Sequence, residues 1–273
     1  MGAITLLTDF GTRDYFVGAM KGAILSVNPQ ASVIDITHEI PPQDVSAAAF
    51  TLANYYKNFP PKTIHVCVVD PGVGSARRAI LLETADYFFL APDNGLLSFV
   101  FDEVGNGENE PPSPSPLSPR GFRVFELTNE KYFAAEVSRT FHGRDVFAPV
   151  AAHLSNGIAP ESFGNEIDDF VKFENPQPRK ISETETQAEI IHIDRFGNLV
   201  TNLKTEDLPA EFTLEVNETR IEKHREFYAE AGKGEIFSIA GSAGFLEIVA
   251  FRDSAERLLK AKAHQKILLR RAN

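Results

Sequence analysis

An acidic residue and a guanidinium seven positions apart, Asp70 and Arg77, are the residues best suited to do chemistry. Asp70 follows the β-branched run 66–69 and precedes Pro71-Gly72, so we expect it at the carboxyl end of a buried strand, where a turn begins. Ligands of open α/β sheets bind at such strand ends. A carboxylate beside a permanent cation would form a polar substrate site, although Asp-Pro-Gly is also typical of a purely structural turn. The stretch alone leaves both interpretations open.

The glycines of the same loop do not make a nicotinamide site. Gly72 and Gly74 resemble the beginning of a dinucleotide-binding fingerprint, but Arg77 stands where the third glycine belongs. Residues 78–83 have the pattern of a strand, whereas the fingerprint requires a helix at that point. We therefore reject a dinucleotide cofactor at this loop.

Two further motifs place reactive side chains beside a glycine. Asp9 comes directly after the apolar run 4–8 and before Phe10-Gly11, which is again an acid at a strand end. His142 stands before Gly143, ahead of an apolar helical stretch. Histidine exchanges protons near neutral pH, so His142 is a candidate acid or base. A single histidine at a helix start is, however, usually a structural hydrogen-bonding group.

The elements that must position these residues alternate between strand and helix. Strands are predicted at 4–8, 33–36 and 64–69, and helices at 15–27, with Asp14 as N-cap, and at 44–56. This alternation implies right-handed crossovers and an α/β domain with a mostly parallel, Rossmann-like sheet. Asp9 and Asp70 would then lie on the same rim of the sheet. Further strands are predicted at 79–83, 87–90 and 122–127, with residues 105–119 as a flexible surface excursion.

A change of composition divides the chain. Residues 175–187 are rich in Pro, Lys, Glu and Thr and are interpreted as a linker between an N-terminal α/β domain, 1–174, and a smaller C-terminal domain, 188–273. Short strand patterns separated by turn residues predict an all-β architecture for the second domain. These strands are expected at 188–193, 199–203, 212–216, 236–240 and 246–251, with short helices at 204–211 and 254–262.

Composition excludes several classes of function. The chain of 273 residues carries 27 Lys and Arg against 38 Asp and Glu, a net charge of −11, which argues against nucleic acid or an anionic membrane as the main partner. The single cysteine, Cys67, permits neither an intrachain disulfide nor a thiolate metal site and suits a reducing cytoplasm. Neither a secretory signal pattern nor an apolar run of membrane-spanning length is present in the sequence. We therefore expect a cytoplasmic protein.

Six short motifs occur in order along the chain. They are Thr8-Asp9-Phe10-Gly11, Val69-Asp70-Pro71-Gly72-Val73-Gly74 with Arg77, Ala91-Pro92-Asp93-Asn94-Gly95, Phe141-His142-Gly143-Arg144-Asp145, Phe196-Gly197-Asn198 and Ser242-Ala243-Gly244-Phe245-Leu246-Glu247. Over nearly its whole length the chain resembles the S-adenosyl-L-methionine (SAM) hydrolases that form adenosine, also called SAM hydroxide adenosyltransferases. These enzymes are relatives of the SAM-dependent fluorinase and chlorinase.

The resemblance implies a fold, a reaction and an assembly. The expected subunit has an N-terminal α/β domain and a small C-terminal β-barrel. The expected reaction converts SAM and water to adenosine and L-methionine, with SAM as substrate and no cofactor or metal. The resemblance also implies a homotrimer, in which SAM binds between the C-terminal domain of one subunit and the N-terminal domain of the next.

The resemblance also assigns roles to residues of this chain. Asp70, Arg77 and His142 match the set that handles the attacking water, and Asp9 should hold the ribose hydroxyls. Asn198 should contact adenine. The full substrate-binding set expected from the resemblance is Asp9, Phe10, Asp14, Asp70, Asn94, Asp194, Phe196 stacking near adenine, Asn198, Ser242 and Glu247 at the methionine end, and Ala250.

Three alternative functions remain open. A SAM-dependent halogenase is disfavoured, because the carboxylate of Asp70 would repel a halide and the long insertion of the fluorinase is missing. A SAM- or adenosine-binding sensor with negligible turnover would use the same binding residues. A metal-dependent hydrolase could use His38, His65 and His142 together with the many acidic residues, but the sequence contains no HExxH motif or comparable ligand spacing.

Overall fold

The computed structural model describes residues 2–105 and 121–271, and the chain divides into two compact units, 1–174 and 175–273. The first unit is built on a seven-stranded sheet of order β2-β1-β3-β5-β4-β6-β7. Its strands are β1 (Ile4–Thr8), β2 (Val33–Thr37), β3 (Ile64–Val68), β4 (Ala79–Thr84), β5 (Phe88–Pro92), β6 (Phe122–Glu126) and β7 (Glu166–Ile167). Its helices are α1 (Phe16–Val27), α2 (Val45–Tyr55), α3 (Ser98–Gly105) and α4 (Ala148–Ser155), the last preceded by a π-helical turn, Gly143–Phe147. The predicted surface excursion 105–119 lies, apart from Gly105, outside the described residues.

The sheet of the first unit is mixed, so the prediction of a mostly parallel sheet was wrong. The pairs β1–β2, β1–β3 and β3–β5 are parallel, whereas β5–β4, β4–β6 and β6–β7 are antiparallel. The connection from β4 to β5, residues 85–87, is far too short for a crossover, which takes about a dozen residues or more. These two strands therefore pair as a hairpin.

Helices cover both faces of this sheet. Met20 of α1 and Val150 of α4 pack against one face, together with Leu6 of β1. Leu52 of α2 packs on the other face with Leu7, the next residue of β1. Because successive strand residues point to opposite faces, β1 and β3 are buried on both sides and mostly apolar, and two of their few polar residues, Thr5 and His65, pair with one another.

The two long helices begin in different ways. In α2, Asp44 is the N-cap, since its Oδ1 accepts a hydrogen bond of 2.9 Å from the backbone N–H of Ala47. The prediction that Asp14 caps α1 was wrong. That helix begins at Phe16 after Tyr15, with no side-chain cap, and Asp14 is exposed in the segment before it.

The second unit is an antiparallel, barrel-like sheet. Its strands are β8 (Arg179–Lys180), β9 (Glu185–Ile193), β10 (Leu199–Lys204), β11 (Phe212–Val216), β12 (Thr219–Ile221), β13 (Ile236–Ala240), β14 (Phe245–Ala250) and β15 (Lys266–Arg271). Their order is β12-β11-β15-β9-β10-β14-β13, with β8 paired to β9. β8 and the beginning of β9 fall within residues 175–187, the stretch interpreted from composition as a linker.

His224 joins the two ends of this sheet. It follows β12 and forms an isolated bridge with Ser238 of β13, whose hydroxyl lies 2.5 Å from its Nδ1. Its Nε2 donates to the carbonyl oxygen of Phe212 in β11, at 2.8 Å. The sheet is therefore nearly closed. Helix α5 (Ala255–Leu259) packs against β14, and among the described helices of both units none is long and apolar enough to cross a membrane.

Candidate active site

The polar residues singled out in the first unit meet at one edge of its sheet. Thr8 of β1 pairs in parallel register with Val68 of β3, so Asp9 and Asp70 leave the sheet side by side, which confirms their expected place on one rim. β5 runs parallel to β3 and ends just before Asn94. β4 runs the opposite way, and its first residue pairs with Pro92, so Arg77 enters the sheet at this same edge.

Consecutive turns fold the loop after Asp70 back on itself. The carbonyl oxygen of Asp70 accepts a hydrogen bond of 3.3 Å from the N–H of Val73. The carbonyl oxygen of Gly72 accepts both the N–H and the hydroxyl of Ser75, at 3.1 and 2.6 Å. The Ser75 hydroxyl oxygen in turn accepts the N–H of Arg77 at 3.2 Å. These bonds return the guanidinium to the carboxylate from which the loop starts.

Asp70 and Arg77 form a buried, bidentate ion pair. The Arg77 Nε donates to Asp70 Oδ1 at 3.0 Å, and Nη2 donates to Oδ2. Only 5% of the Asp70 side chain and 8% of the Arg77 side chain are exposed. The third nitrogen, Nη1, donates to the carbonyl oxygen of Arg78 at 3.0 Å, and the ring of Phe147 lies 5.7 Å from the guanidinium carbon. These contacts hold the plane of the guanidinium in one orientation, to which the bidentate pair contributes most.

His142 completes a chain of three polar side chains. Its Nδ1 lies 3.2 Å from Arg77 Nη2. A guanidinium can only donate, so Nδ1 accepts and the ring hydrogen is on Nε2. Burial lowers the pKa of His142 below its ordinary 6.5, and the charge of Arg77 lowers it further, against the opposing carboxylates of Asp70 and Asp145. The imidazole is therefore neutral near pH 7 and offers an N–H on the side away from Arg77.

A close contact between two loops brings His142 to this pair. Gly74 has a φ of +77°, and a Cβ there would lie 2.2 Å from the carbonyl oxygen of Arg139. Only glycine allows the loop after Asp70 to touch the loop before His142 in this way. Asp145, in the π-helical turn, accepts the N–H of Ser138 at 2.8 Å and holds the second loop in place. Single π-helical turns are frequently found at functional sites.

Asp9 and Phe10 are held by neighbouring loops. Asp9 Oδ2 accepts the backbone N–H of Gln43 at 2.8 Å. The Phe10 ring packs 5.8 Å from the rings of both Phe16 and Phe141, which ties it to the segment that carries His142. Asp14 is exposed, and none of the described contacts joins it to Asp9 or Phe10.

Asn94 supports the strand end rather than adding a fourth member to the chain of polar side chains. Its Nδ2 donates to the carbonyl oxygen of Val69 at 2.9 Å, next to Asp70. Its Oδ1 accepts the N–H of Leu96 at 3.2 Å and so closes the turn into α3. These two bonds fix the backbone immediately before Asp70.

The second unit contains a separate set of expected substrate residues around one turn. Asp194 Oδ1 accepts the N–H groups of Phe196 and Asn198 at 2.8 and 2.9 Å, and Oδ2 accepts Asn198 Nδ2 at 2.8 Å. Gly197 has a φ of +79°, and a Cβ there would lie 2.1 Å from the hydroxyl of Ser254. The turn therefore presents Phe196, which is 76% exposed, beside an amide whose orientation is fixed.

Two carboxylates and a phenol lie close together in this second set. Burial raises the pKa of Glu247, and the charge of Asp194 raises it further. Burial also raises the pKa of Tyr228, with further contributions from Glu247 and Asp194. Glu247 packs over Gly241, where a Cβ would lie 2.1 Å from its Oε1. Ser242 is exposed on the adjoining turn, and Ala250 is buried at the end of β14.

Several further residues at these sites belong to none of the motifs in the sequence. Tyr228, beside the exposed Phe227, was available as an aromatic pair within a polar stretch. Arg78 was seen only as the start of a strand, yet it pairs with Asp93 at 2.7 Å and with Asp169 at 2.6 Å behind the Asp70 loop. No motif spacing connects residues so far apart in the chain. Across residues 2–105 and 121–271, no three His, Cys, Asp or Glu side chains are grouped so that they could hold a metal ion.

The fold and the strand-end site define a class of protein with one α/β unit and one all-β unit. Comparison with known families identifies the family. The model of the SAM hydroxide adenosyltransferase N-terminal domain matches residues 4–164, and that of the C-terminal domain of the same family matches residues 188–268. The chain belongs to the SAM hydroxide adenosyltransferase family. This confirms the family that the six ordered motifs predicted.

Individual relatives agree with this assignment. A protein of Methanocaldococcus jannaschii named (R)-S-adenosyl-L-methionine hydrolase is 37% identical, over 94% of this chain and 91% of the relative. A fluorinase of an Actinoplanes species is 30% identical, over 75% of this chain and 72% of the relative. A solved structure described as an uncharacterized conserved protein from Thermotoga maritima is 33% identical with a TM-score of 0.85, covering 98% of this chain and all of that one.

Proposed function

We propose that this protein hydrolyses SAM to adenosine and L-methionine by attack of water at C5′ of the ribose. The observation that carries the proposal is the buried chain of Asp70, Arg77 and His142 at the strand ends. Family membership and the relatives named as SAM hydrolases support the same reaction.

The chemistry needs little more than an aligned water molecule. The sulfonium of SAM makes the thioether a good leaving group, so no acid is required for its departure. The barrier is lowered by holding water in line with the C5′–S bond and by removing competing solvent. Binding groups that fix the ribose and the methionine chain supply that alignment.

Each member of the polar chain has a distinct role in this proposal. Asp70 accepts a hydrogen bond from the attacking water and takes its proton as the C5′–O bond forms and the C5′–S bond breaks, which leaves adenosine and methionine, and the proton then passes to solvent. His142, with its hydrogen on Nε2, donates to the oxygen of that water and orients it. Because Nδ1 already accepts from Arg77, His142 is not the resting base. Arg77 stays protonated, fixes both partners and stabilises developing hydroxide character.

The remaining expected residues bind the substrate. Asp9, held by the N–H of Gln43, accepts hydrogen bonds from the ribose hydroxyls. Asn198 contacts adenine, and the exposed ring of Phe196 stacks near the base. Ser242 and Glu247 bind the methionine end, with Phe10, Asp14, Asn94, Asp194 and Ala250 completing the site. The carboxylates suit the positive charge of the sulfonium and the amino group.

Water is the nucleophile in this proposal, not halide. Some relatives are fluorinases, so a halogenase is the nearest competing activity. The buried carboxylate of Asp70 stands where a halide would need hydrogen-bond donors and a desolvated pocket. Arg77 already balances the charge of Asp70, so a halide beside them would be a second buried anion without a counter-ion, which is strongly unfavourable. The carboxylate therefore favours water.

The resemblance also supports three further proposals about the whole protein. We propose a homotrimer that binds SAM at subunit interfaces, a Rossmann-like N-terminal domain with a β-barrel C-terminal domain, and a cytoplasmic location. We also propose that no cofactor takes part, since SAM is the substrate and its displacement at C5′ needs only water. A sedimentation measurement of the molecular mass would test the trimer.

One incubation tests the reaction. Purified protein is incubated with SAM, with and without added chloride or fluoride, and the products are separated by liquid chromatography. The proposal expects adenosine and methionine in equal amounts at a rate that halide leaves unchanged. A 5′-halo-5′-deoxyadenosine would place the protein with the halogenases. SAM binding without any product would indicate a sensor.

A further inference from the structure

A buried histidine lies behind the loop that carries Asp9. His38 follows β2, and its Nδ1 lies 2.8 Å from the hydroxyl oxygen of Thr8, the last residue of β1. The same Thr8 oxygen accepts the backbone N–H of Phe10 at 3.2 Å. The carbonyl oxygen of His38 accepts the N–H of Gly11 at 2.7 Å. His38 therefore holds the two residues that follow Asp9, one through its side chain and one through its backbone.

The donors and acceptors of these hydrogen bonds can be assigned in order, from the Phe10 N–H through the Thr8 hydroxyl to His38. Because Thr8 accepts from Phe10, its hydroxyl hydrogen is available for His38 Nδ1, and the histidine then carries its hydrogen on Nε2. That Nε2 lies 3.1 Å from Asp35 Oδ1, and Lys21 Nζ lies 2.5 Å from Asp35 Oδ2. Partial burial of Asp35 opposes ionisation, but Lys21, which donates a hydrogen bond to it, and the nearby His38 lower its pKa overall. The charged pair of Asp35 and Lys21 lies beside the buried imidazole, whose hydrogen-bonding partner is the Thr8 hydroxyl.

We propose that His38 is a positioning residue, which acts through Thr8 to fix the Asp9 carboxylate for the ribose hydroxyls. The inference rests on the proposed function, in which Asp9 binds the ribose. His38 is not itself a catalytic residue, because its side chain is only 3% exposed and lies behind the loop. Its effect should therefore appear in the affinity for nucleosides that carry ribose hydroxyls.

The chain supplies a matched control for this network. Thr5, on the opposite face of the same strand, makes a hydrogen bond of the same length, 2.8 Å, with Nδ1 of the buried His65. That pair lies among Tyr55, Phe59 and Phe89, away from the Asp9 loop. Thr5→Val and Thr8→Val therefore remove the same kind of buried bond, but only the second change reaches the proposed ribose site.

The experiment compares Thr8→Val, Thr8→Ser and Thr5→Val with the wild type. Binding of adenosine and of 2′,3′-dideoxyadenosine, steady-state hydrolysis of SAM and urea unfolding are measured for each protein. Loss of the Thr8 hydroxyl should weaken adenosine binding and raise KM by about 5- to 10-fold, the effect of one lost hydrogen bond to a loop, while kcat changes less than about 3-fold. Dideoxyadenosine binding should not change. Thr8→Ser should restore the wild-type values, and Thr5→Val should lower stability alone.

The outcomes separate this inference from the proposed function. If the wild type forms no adenosine from SAM, the proposed function fails first. If the wild type is active and Asp9→Ala abolishes the preference for adenosine over its dideoxy analogue, but Thr8→Val keeps that preference, the inference about His38 is wrong. Equal effects of Thr8→Val and Thr5→Val on KM would also overturn it. If Thr8→Val does not fold, His38→Ala and His38→Asn carry the same test, because only Asn offers Thr8 an oxygen acceptor.

Discussion

Replacing Asp70 by asparagine is the most direct perturbation of the proposed mechanism. The change keeps the shape of the side chain and one oxygen, but it removes the negative charge that faces Arg77. With 5% and 8% of the two side chains exposed, the guanidinium is left nearly buried without its counter-ion. Breaking a buried pair in this way lowers the free energy of unfolding by about 3–5 kcal/mol. We expect the lower value, about 3 kcal/mol, because the amide oxygen still accepts from Arg77.

The effect on catalysis should be larger than this loss of stability explains. A carboxylate that accepts from the attacking water contributes about 10²–10⁴ in rate. We expect kcat of Asp70→Asn to fall about 10³-fold, which corresponds to a barrier raised by about 4 kcal/mol. The KM for SAM should change much less, since Asp70 acts mainly on the water. Initial rates at saturating SAM, from chromatographic quantification of adenosine, give both parameters.

A matched variant distinguishes chemistry from folding. Glu83 accepts hydrogen bonds from both Nε and Nη2 of Arg123, at 3.0 and 2.6 Å, and its side chain is 15% exposed. Glu83→Gln should therefore lose stability in urea without losing the reaction. A folded Asp70→Asn protein that hydrolyses SAM within tenfold of the wild-type rate would refute the reasoning, as would an equal loss of kcat in Glu83→Gln. Asp70 would then only hold its loop together.

Three further outcomes are expected. The rate should fall on the acid side with an apparent pKa below the ordinary 6.5 of histidine, because a protonated His142 would direct a hydrogen at Arg77; a flat profile between about pH 5 and 8 would contradict this. Burial lowers the pKa of His65 to about 3, so between about pH 6.5 and pH 4 the unfolded chain binds a proton at this histidine and the folded chain does not. The free energy of unfolding should therefore drop by about 3 kcal/mol over this range, and urea titrations of His65→Gln should lack the drop. Phe196→Ala should raise KM for SAM about 5-fold through lost stacking while sparing kcat, and an unchanged KM would remove Phe196 from the site.

Local sequence signals were sufficient where a site residue lies next in the chain to the strand or helix that positions it. The β-branched run before Asp70 predicted a strand end, and the parallel direction of β1 and β3 follows from the alternation of strand and helix. The second helix was predicted over 44–56, one residue longer at each end than α2, and Asp44 proved to be its N-cap because its side chain bonds within the next turn. The family motifs then connected these ends to a reaction.

Features that depend on distant pairing could not be derived in this way. β15 was missed because Ile267, Leu268 and Leu269 form a run of only three apolar residues between charged ones, and a short basic strand has little signal until its partners are known. The helix start at Phe16 was misplaced, because aspartate is a good cap on average but α1 begins without one. The bond from Arg77 to His142 joins residues 65 positions apart, and no sequence period marks it.

The position of β15 has a consequence for how the chain is made. This strand lies between β9 and β11 in the barrel-like sheet, and Lys266 pairs with Glu189, far upstream in the sequence. During synthesis the first unit can fold as soon as residues 1–174 have emerged, while β9 and β11 must wait with unpaired edges for residue 271. A frameshift late in the coding region would therefore leave a folded first unit attached to an open, aggregation-prone sheet.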